Sequence, residues 1–322
     1  TILLTFDVED WFQVENFKGY IPFSSWNDHE LRVEKNIHLI LDLLDSFSFK
    51  PKATFFVLGW IARKLPNMVK EIHKRGHEVA SHGNQHHLFT NQSFKEVEQD
   101  LKSGKALLED ITGHKIFGYR APSFAVNNDI LKIIQGTGHA YDSSYNSFAM
   151  HGRYGSIDLS NDTKKGIAHK ISNNFFELPI SNLTISQKTF PLGGGGYFRL
   201  IPFPLFRFGM NRVLNKNNAF VFYSHPWEFD PDQPRVEQAS TGFKFRHYIN
   251  LNRTEKKFTS MIKNFKNLKF TSCIDYLNQT DEFLKLAGSW KGDKSAENII
   301  QDITKRRSTK RFDFMDNINV FD

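Results

Sequence analysis

Apolar residues recur along the chain with two alternating periods, one of strands and one of helices. Ile2 to Phe6 is a short apolar run that ends on the acids Asp7, Glu9 and Asp10, the mark of a buried strand whose C-terminal tip carries polar groups. Val33, Ile37, Ile40, Leu41 and Leu44 then recur at helical spacing, and Ala53 to Val57 reads as a second strand. Pro66 opens a helix that stops near Gly76, and Glu78 to Ser81 makes a third strand running into His82. Ser93 and Glu96 have the spacing of a capping box for a helix that continues through Val97, Leu101 and Leu108 to Gly113. Further strands are expected at Lys115 to Tyr119, ending on Arg120, and at His139 to Asp142, with a short helix from Ile130 to Ile134 between them. Phe175 to Leu178, Ala219 to Tyr223 and Lys269 to Thr271 complete the series. Such alternation implies an α/β fold with parallel strands and helices outside, and seven or eight units favour a barrel over an open sheet.

Composition narrows the picture little. A chain of 322 residues with 39% hydrophobic and 24% charged residues holds one substantial core and excludes a disordered majority. The net charge of +7 is spread along the chain, so nucleic acid is not an expected partner. Cys273 is the only cysteine, which rules out an internal disulfide. No apolar stretch approaches the ~20 residues that span a bilayer, and no signal peptide precedes the first strand, which together favour the cytoplasm. The sequence starts at Thr1 without a Met, which leaves a missing N-terminal piece, and with it export, open. Beyond about residue 278 the character changes to a polar tail with Lys305-Arg306-Arg307, Lys310-Arg311 and one helical pattern at Ala296 to Ile303. The expected division is therefore a main domain over residues 1–278 and a polar, partly helical extension over 279–322.

Four groups of residues at expected strand ends carry candidate chemistry. His82 and His86, four apart in His82-Gly83-Asn84-Gln85-His86, can share a metal ion if a turn or helix sets them on one face. Asp7, Glu9 and Asp10 can supply an oxygen ligand and a separate base, or can be a solvated turn. His225, in Ser224-His225-Pro226-Trp227-Glu228, can exchange a proton near neutral pH. Arg120 can serve a site or cap a surface turn. All four fall on the face where barrel enzymes assemble their sites. One carboxylate plus two imidazoles leaves coordination positions open, as in a catalytic rather than a structural centre. Trp11, Phe12, Tyr197 and Trp227 stand near these groups and fit either sugar stacking or core packing. The run Gly193 to Gly196 reads as a loop that approaches a ligand closely, or as a plain turn.

Taken in order, Thr5-Phe6-Asp7, His82 to His86, Arg120-Ala121-Pro122 and Ser224-His225 resemble the motifs of the polysaccharide deacetylase family, the NodB homology domain or carbohydrate esterase family 4. The likeness runs from residue 1 to about 278. Asp7 to Phe12, Gly193 to Arg199 and His225 to Glu228 resemble more narrowly the branch found beside exopolysaccharide and exosortase gene clusters. The resemblance implies a distorted (β/α) barrel of about seven parallel strands. It also implies a metal-dependent hydrolase that removes N-acetyl groups from an N-acetylhexosamine-containing polysaccharide in exopolysaccharide biosynthesis, with the N-acetylated glycan as its partner. Asp7 would be the base, Arg120 the group orienting it, His225 the acid, and His82 and His86 ligands of a divalent metal. Zinc is the first choice, with cobalt, nickel or manganese as alternatives. Trp11, Tyr197 and Trp227 would contact the sugar. One departure matters: Val8 stands where the family has a second aspartate, so the metal carboxylate falls to Glu9 or Asp10, with Glu9 slightly favoured. Asp142 is the nearest counterpart of a further family motif, as site support. Two other readings stay open: an amidohydrolase of the same fold acting on a non-carbohydrate amide, and a catalytically inactive glycan-binding protein.

Overall fold

The alternating pattern becomes, in the computed structural model, a nine-stranded sheet with helices packed on it. The structure describes residues 1–148, 155–160 and 162–279, so the extension expected over 279–322 lies, but for its first residue, outside the described residues. Thr1–Tyr276 form one compact unit.

The strands are Ile2–Val8 (β1), Ala53–Val57 (β2), Glu78–Ser81 (β3), Gly118–Tyr119 (β4), Tyr141–Asp142 (β5), Thr163–Lys165 (β6), Ala168–Ser172 (β7), Phe175–Glu177 (β8), Leu183–Ile185 (β9), Lys188–Phe190 (β10) and Phe220–Ser224 (β11). Their order is β11-β1-β2-β3-β4-β5-β8-β7-β6, while β9 and β10 form a separate hairpin. The seven strands from β11 to β8 are all parallel, and β7 runs antiparallel to both its neighbours, β8 and β6. This is the distorted (β/α) barrel with seven parallel strands that was expected. The distortion has a local cause. Among the described residues no regular strand lies on the outer edge of β11; instead the Val221 N–H donates to Ser181 Oγ at 2.9 Å and the Tyr223 N–H to the Gly193 carbonyl at 2.8 Å.

Every residue of β1, β2 and β11 is buried, which is why these strands read as continuous apolar runs rather than alternating ones. Phe6 stacks on Phe55 of β2 at 5.0 Å between ring centroids, and Phe222 of β11 packs on Phe258 at 5.8 Å. The helix Val33–Asp45 buries the apolar stripe read from its spacing, and Phe94–Thr112 begins on the Ser93/Glu96 capping box and ends on Gly113 in the left-handed region (φ 71°).

Three expectations need correction. β4 is only Gly118–Tyr119, because the Ile116 N–H turns aside to the Glu109 carboxylate. Lys269 to Thr271 makes an isolated bridge, Ile2 with Phe270, in place of a strand. The antiparallel strands and hairpin between Thr163 and Phe190 were not anticipated, since that stretch mixes polar residues without a clear two-residue alternation.

Candidate active site

The C-terminal ends of β1, β3, β4 and β11 converge on one cavity of about 400 Å³, lined among others by Asp7, Glu9, His82, His86, His225 and Trp227. β1 delivers Asp7 and, just past its end, Glu9. The chain turns sharply here, with the Glu9 N–H donating to the Asp7 carbonyl at 3.0 Å, while Val8 between them packs into the core.

After β3 the chain runs into a loop rather than a helix. Gly83 (φ 76°) and His86 (φ 58°) both take left-handed backbone, and this turn brings the two imidazoles together at 5.3 Å between centroids. His82 Nδ1 lies 2.8 Å from the Arg120 carbonyl. A carbonyl can only accept, so Nδ1 carries the proton and Nε2 presents its lone pair. His86 Nε2 stands 2.7 Å from Glu9 Oε2, and ligand atoms of Glu9, His82 and His86 all fall within 4.8 Å of one another. Burial alone would raise the Glu9 carboxyl, but His86, His225 and His82 hold it at about 2; burial pushes His82 down to about 4. An ionised carboxylate and neutral imidazoles are the forms that bind metals. One hard and two borderline donors, buried and open toward a cavity, fit a divalent ion of the zinc class.

Asp10 is not part of this group. Its Oδ2 accepts the N–H groups of Arg32 and Val33 at 2.7 and 2.9 Å, and its Oδ1 accepts that of Trp11 at 2.8 Å. It therefore holds the N-terminus of the helix Val33–Asp45, whose first N–H groups have no partner within the helix. Of the two acids considered for the metal, the structure brings only Glu9 to the histidines.

Asp7 is held from behind. Arg120, fully buried, donates from Nη1 to Asp7 Oδ1 and to Thr5 Oγ, both at 2.8 Å, and from Nε and Nη2 to the carbonyl and Oγ of Ser143, both at 2.9 Å. Its guanidinium lies 4.2 Å from the centre of the Phe56 ring. Asp7 Oδ2 is left facing His225 Nε2 at 3.9 Å. Asp142 acts at one remove: it accepts the Ser144 hydroxyl at 2.7 Å, and Ser144 Oγ accepts the Ala121 N–H at 2.8 Å, fixing the residue after Arg120.

His225 comes with an assembly that the sequence reading did not assign. Glu228 Oε1 accepts His225 Nδ1 at 2.9 Å, the His225 N–H at 3.0 Å and the Ser224 hydroxyl at 3.1 Å, and Oε2 accepts Arg199 Nε at 2.7 Å. Burial opposes charge on both members, yet Arg199 and His225 hold Glu228 at about 2, and Glu228 with Glu9 and Asp7 lifts His225 to about 9. Arg199 also donates to the carbonyls of Arg246, His247 and Ile249. Both Glu228 and Arg199 lay inside segments already singled out, three residues after His225 and at the end of the glycine run. Chain spacing alone did not join them.

The aromatic residues divide. Tyr197 lines the cavity. Trp227 also lines it, but as a buried wall, stacked between His225 at 5.0 Å and His247 at 4.1 Å, with its indole N–H 3.3 Å from Glu9 Oε1. Trp11 does not line the cavity. It is buried against Phe12 and His29 with its N–H toward the Glu30 carbonyl at 3.4 Å, so its place is in the packing, not against a ligand. The glycine run has two uses. A Cβ on Gly194, whose φ is 145°, would stand 1.8 Å from the Tyr223 carbonyl oxygen, so this glycine lets the chain lie along β11, while Gly195 and Gly196 line the cavity.

Residues 1–141 match the family described as polysaccharide deacetylase, and residues 143–277 match a domain of unknown function, DUF3473. A peptidoglycan-N-acetylglucosamine deacetylase of Bacillus cereus is 31% identical over 100 residues, 31% of this chain and 46% of that protein. The peptidoglycan-N-acetylglucosamine deacetylase PgdA of Listeria monocytogenes is 41% identical over 96 residues, 30% of this chain and 20% of that protein. The chain thus spans less than half the length of these curated relatives. A crystal structure of a Mycobacterium smegmatis protein, assigned as a polysaccharide deacetylase, superposes with a TM-score of 0.56 at 18% identity, covering 87% of this chain and 90% of that one. The likeness in fold therefore extends well past the matched N-terminal half.

Proposed function

Through residues 1–141 the chain belongs to the polysaccharide deacetylase family, and on that premise we propose that it is a metal-dependent hydrolase removing N-acetyl groups from an N-acetylhexosamine-containing polysaccharide, an exopolysaccharide by its branch resemblance. The observation that carries the reading is the meeting of three groups in one cavity: the cluster Glu9, His82 and His86, the carboxylate of Asp7 held by Arg120, and His225 across from it. Residues 1–278 act in this reading as one catalytic module.

A divalent ion held by Glu9, His82 and His86 would supply Lewis acidity toward an acetamide carbonyl and toward water. The remaining chemistry falls to the chain itself. Asp7 has one oxygen occupied by Arg120 and the other facing the cavity, so it is aimed, and it takes a proton from the attacking water. Glu228 accepts the His225 Nδ1 proton and, with Glu9 and Asp7, lifts the imidazole to about 9, so Nε2 carries a second proton, which it delivers to the departing sugar nitrogen. The water oxygen bonds to the acetyl carbon, the C–N bond breaks, and acetate and a free amine leave. Tyr197 offers apolar surface to a sugar ring, while Trp227, covered by His225 and His247, shapes the wall behind it.

The test is acetate release from N-acetylglucosamine oligomers with and without a chelator. Release abolished by the chelator and restored by zinc supports the proposal. Release that ignores the chelator removes the metal from it. No release from any N-acetylated glycan with metal supplied sinks the deacetylase reading, and glycan binding without release would favour the inactive binder. His82→Ala and His86→Ala are expected to lose bound metal, whereas Asp7→Asn keeps it and stops turnover; wild-type metal content in both histidine variants would refute the ligand assignment.

A further inference from the structure

A surface beside the cavity is used neither by the core nor by the site. The helix Phe203–Asn217 buries Phe206, Met210, Val213 and Leu214 on one side. Its other side carries Leu205, Phe208, Arg212 and Lys216, spaced three and then four apart and so aligned in one stripe. Leu205 is 62% and Phe208 57% exposed, an unusual state for large apolar side chains placed side by side. The Arg212 guanidinium sits 5.7 Å from the centre of the Phe208 ring.

The hairpin β9–β10 extends the same surface. Its register pairs Phe190 with Leu183 and Lys188 with Ile185, so these four residues share one face. Leu183 on that face packs against Gly209 of the helix, where an added Cβ would lie 3.4 Å from Leu183 Cδ2. Phe190 and Ile185 beside it are 47% and 39% exposed. Helix stripe and hairpin face therefore adjoin. Leu200, half exposed and lining the cavity, stands just before the turn into the helix, so the surface also adjoins the cavity rim.

Charge identifies the occupant. From Leu178 to Trp227 the chain holds five basic residues, Lys188, Arg199, Arg207, Arg212 and Lys216, and no acid. Arg199 is buried on Glu228 and Arg207 turns to Asn264, which leaves Lys188, Arg212 and Lys216 exposed on this face. A second copy docked face to face would set cations against cations. An anionic lipid surface satisfies both features, taking the apolar side chains below its headgroups and the cations among its phosphates. We propose that the β9–β10 hairpin and the exposed stripe of Phe203–Asn217 form a docking face for an anionic bilayer surface, holding the cavity rim beside it. Among the described residues no helix is long and apolar enough to cross a membrane.

The experiment is co-sedimentation of the full chain with vesicles of phosphatidylcholine alone and of an equal mixture of phosphatidylcholine and phosphatidylglycerol. It is read without turnover, so its outcome is independent of the deacetylase reading. Binding to the anionic vesicles, weakened by salt and near zero on the neutral ones, is the expected result. Lys188→Gln with Arg212→Gln should weaken it about 30-fold, the equivalent of roughly 1 kcal/mol per basic residue near such a surface. Leu205→Ser with Phe208→Ser should weaken it about tenfold or more, with the thermal midpoint preserved because both side chains are exposed. No binding to anionic vesicles, or unchanged binding in both double variants, overturns the proposal. So does a concentration-dependent dimer, seen by light scattering, that the Leu205→Ser/Phe208→Ser variant dissolves, since the face then belongs to a second copy.

Discussion

Removing the Arg120 side chain tests the architecture of the base without recourse to activity. Arg120 is fully buried and donates to four acceptors, of which only Asp7 is charged. Arg120→Met fills much of the volume but leaves the Asp7 carboxylate, 3% exposed, without the guanidinium on Oδ1 and with only His225, 3.9 Å from Oδ2, as a facing charge. Breaking a buried pair from one side costs about 3–5 kcal/mol, because the remaining charge is stranded in a poorly polarisable site. The reverse change is milder. Asp7→Asn leaves Arg120 with Thr5 Oγ, both Ser143 oxygens and the Phe56 ring, and should cost about 1.5–3 kcal/mol, the range of one hydrogen bond to a charged group. The double variant strands no carboxylate, so its loss should fall below the sum of the two by about 2 kcal/mol. Guanidinium unfolding of the metal-free chain, followed by circular dichroism with the slopes compared, reads these differences directly. Turnover should be lost in all three variants, so recovered stability separates charge pairing from catalysis. Additivity within about 0.5 kcal/mol would refute the reasoning, because it would mean that Asp7 does not depend on Arg120 for its burial.

Three further outcomes follow from other sites. His77 is buried, its Nδ1 accepting the Ala53 N–H, and burial lowers it to about 4; the unfolded chain takes up the proton first as pH falls, so stability should drop between pH 6.5 and 4 by about 3 kcal/mol from this group. His77→Gln keeps an acceptor and should flatten that slope, and urea unfolding at pH 7 and 5 that shows equal slopes in both proteins would rule the account out. Gly194→Ala places a Cβ 1.8 Å from the Tyr223 carbonyl oxygen at a φ that side chains avoid, so a loss of about 3 kcal/mol or more is expected in denaturant unfolding, and a loss under about 1 kcal/mol would contradict the close packing along β11. Glu228→Gln should lower kcat about 100-fold or more with metal content and KM nearly unchanged, since it weakens the hold on His225 and not the Glu9 cluster; a kcat within about threefold of wild type would remove Glu228 from the reaction.

What the sequence made legible was the part of the fold that rests on local patterns. β1, β2 and β11 are apolar runs buried on both faces, and the helix Phe94–Thr112 announces both ends through Ser93, Glu96 and Gly113. The four strand-end groups were visible for the same reason, because polar residues closing an apolar run stand out. What stayed hidden depends on contacts distant in sequence. Nothing near Asp10 indicates that its carboxylate reaches Arg32 and Val33 rather than a metal. Nothing near Trp11 separates a core indole from a sugar platform. Arg199 and Glu228 are 29 residues apart, and only β11 and the glycine run folding against it bring them together.

The displaced acid of the first strand can be argued from geometry. Successive side chains of a strand point to opposite faces. Asp7 points into the cavity, and Val8, paired with Val57, points into the core beside Phe6 and Phe55. In this register an aspartate at position 8 would meet apolar side chains unless the backbone left the strand one residue earlier. The chain instead keeps Val8 in the sheet, so that Glu9, two residues after Asp7, falls on the side of Asp7, and it turns there at the hydrogen bond from the Glu9 N–H to the Asp7 carbonyl. From a turn outside the strand the carboxylate must reach back over the cavity floor, and the extra methylene of glutamate gives that reach, with Oε2 arriving 2.7 Å from His86 Nε2. Asp10, one residue further, has already turned toward Arg32 and Val33. Valine at position 8 and glutamate at position 9 are therefore one structural solution, a strand kept one residue longer together with a ligand lengthened by one carbon, which preserves a carboxylate beside the histidine pair.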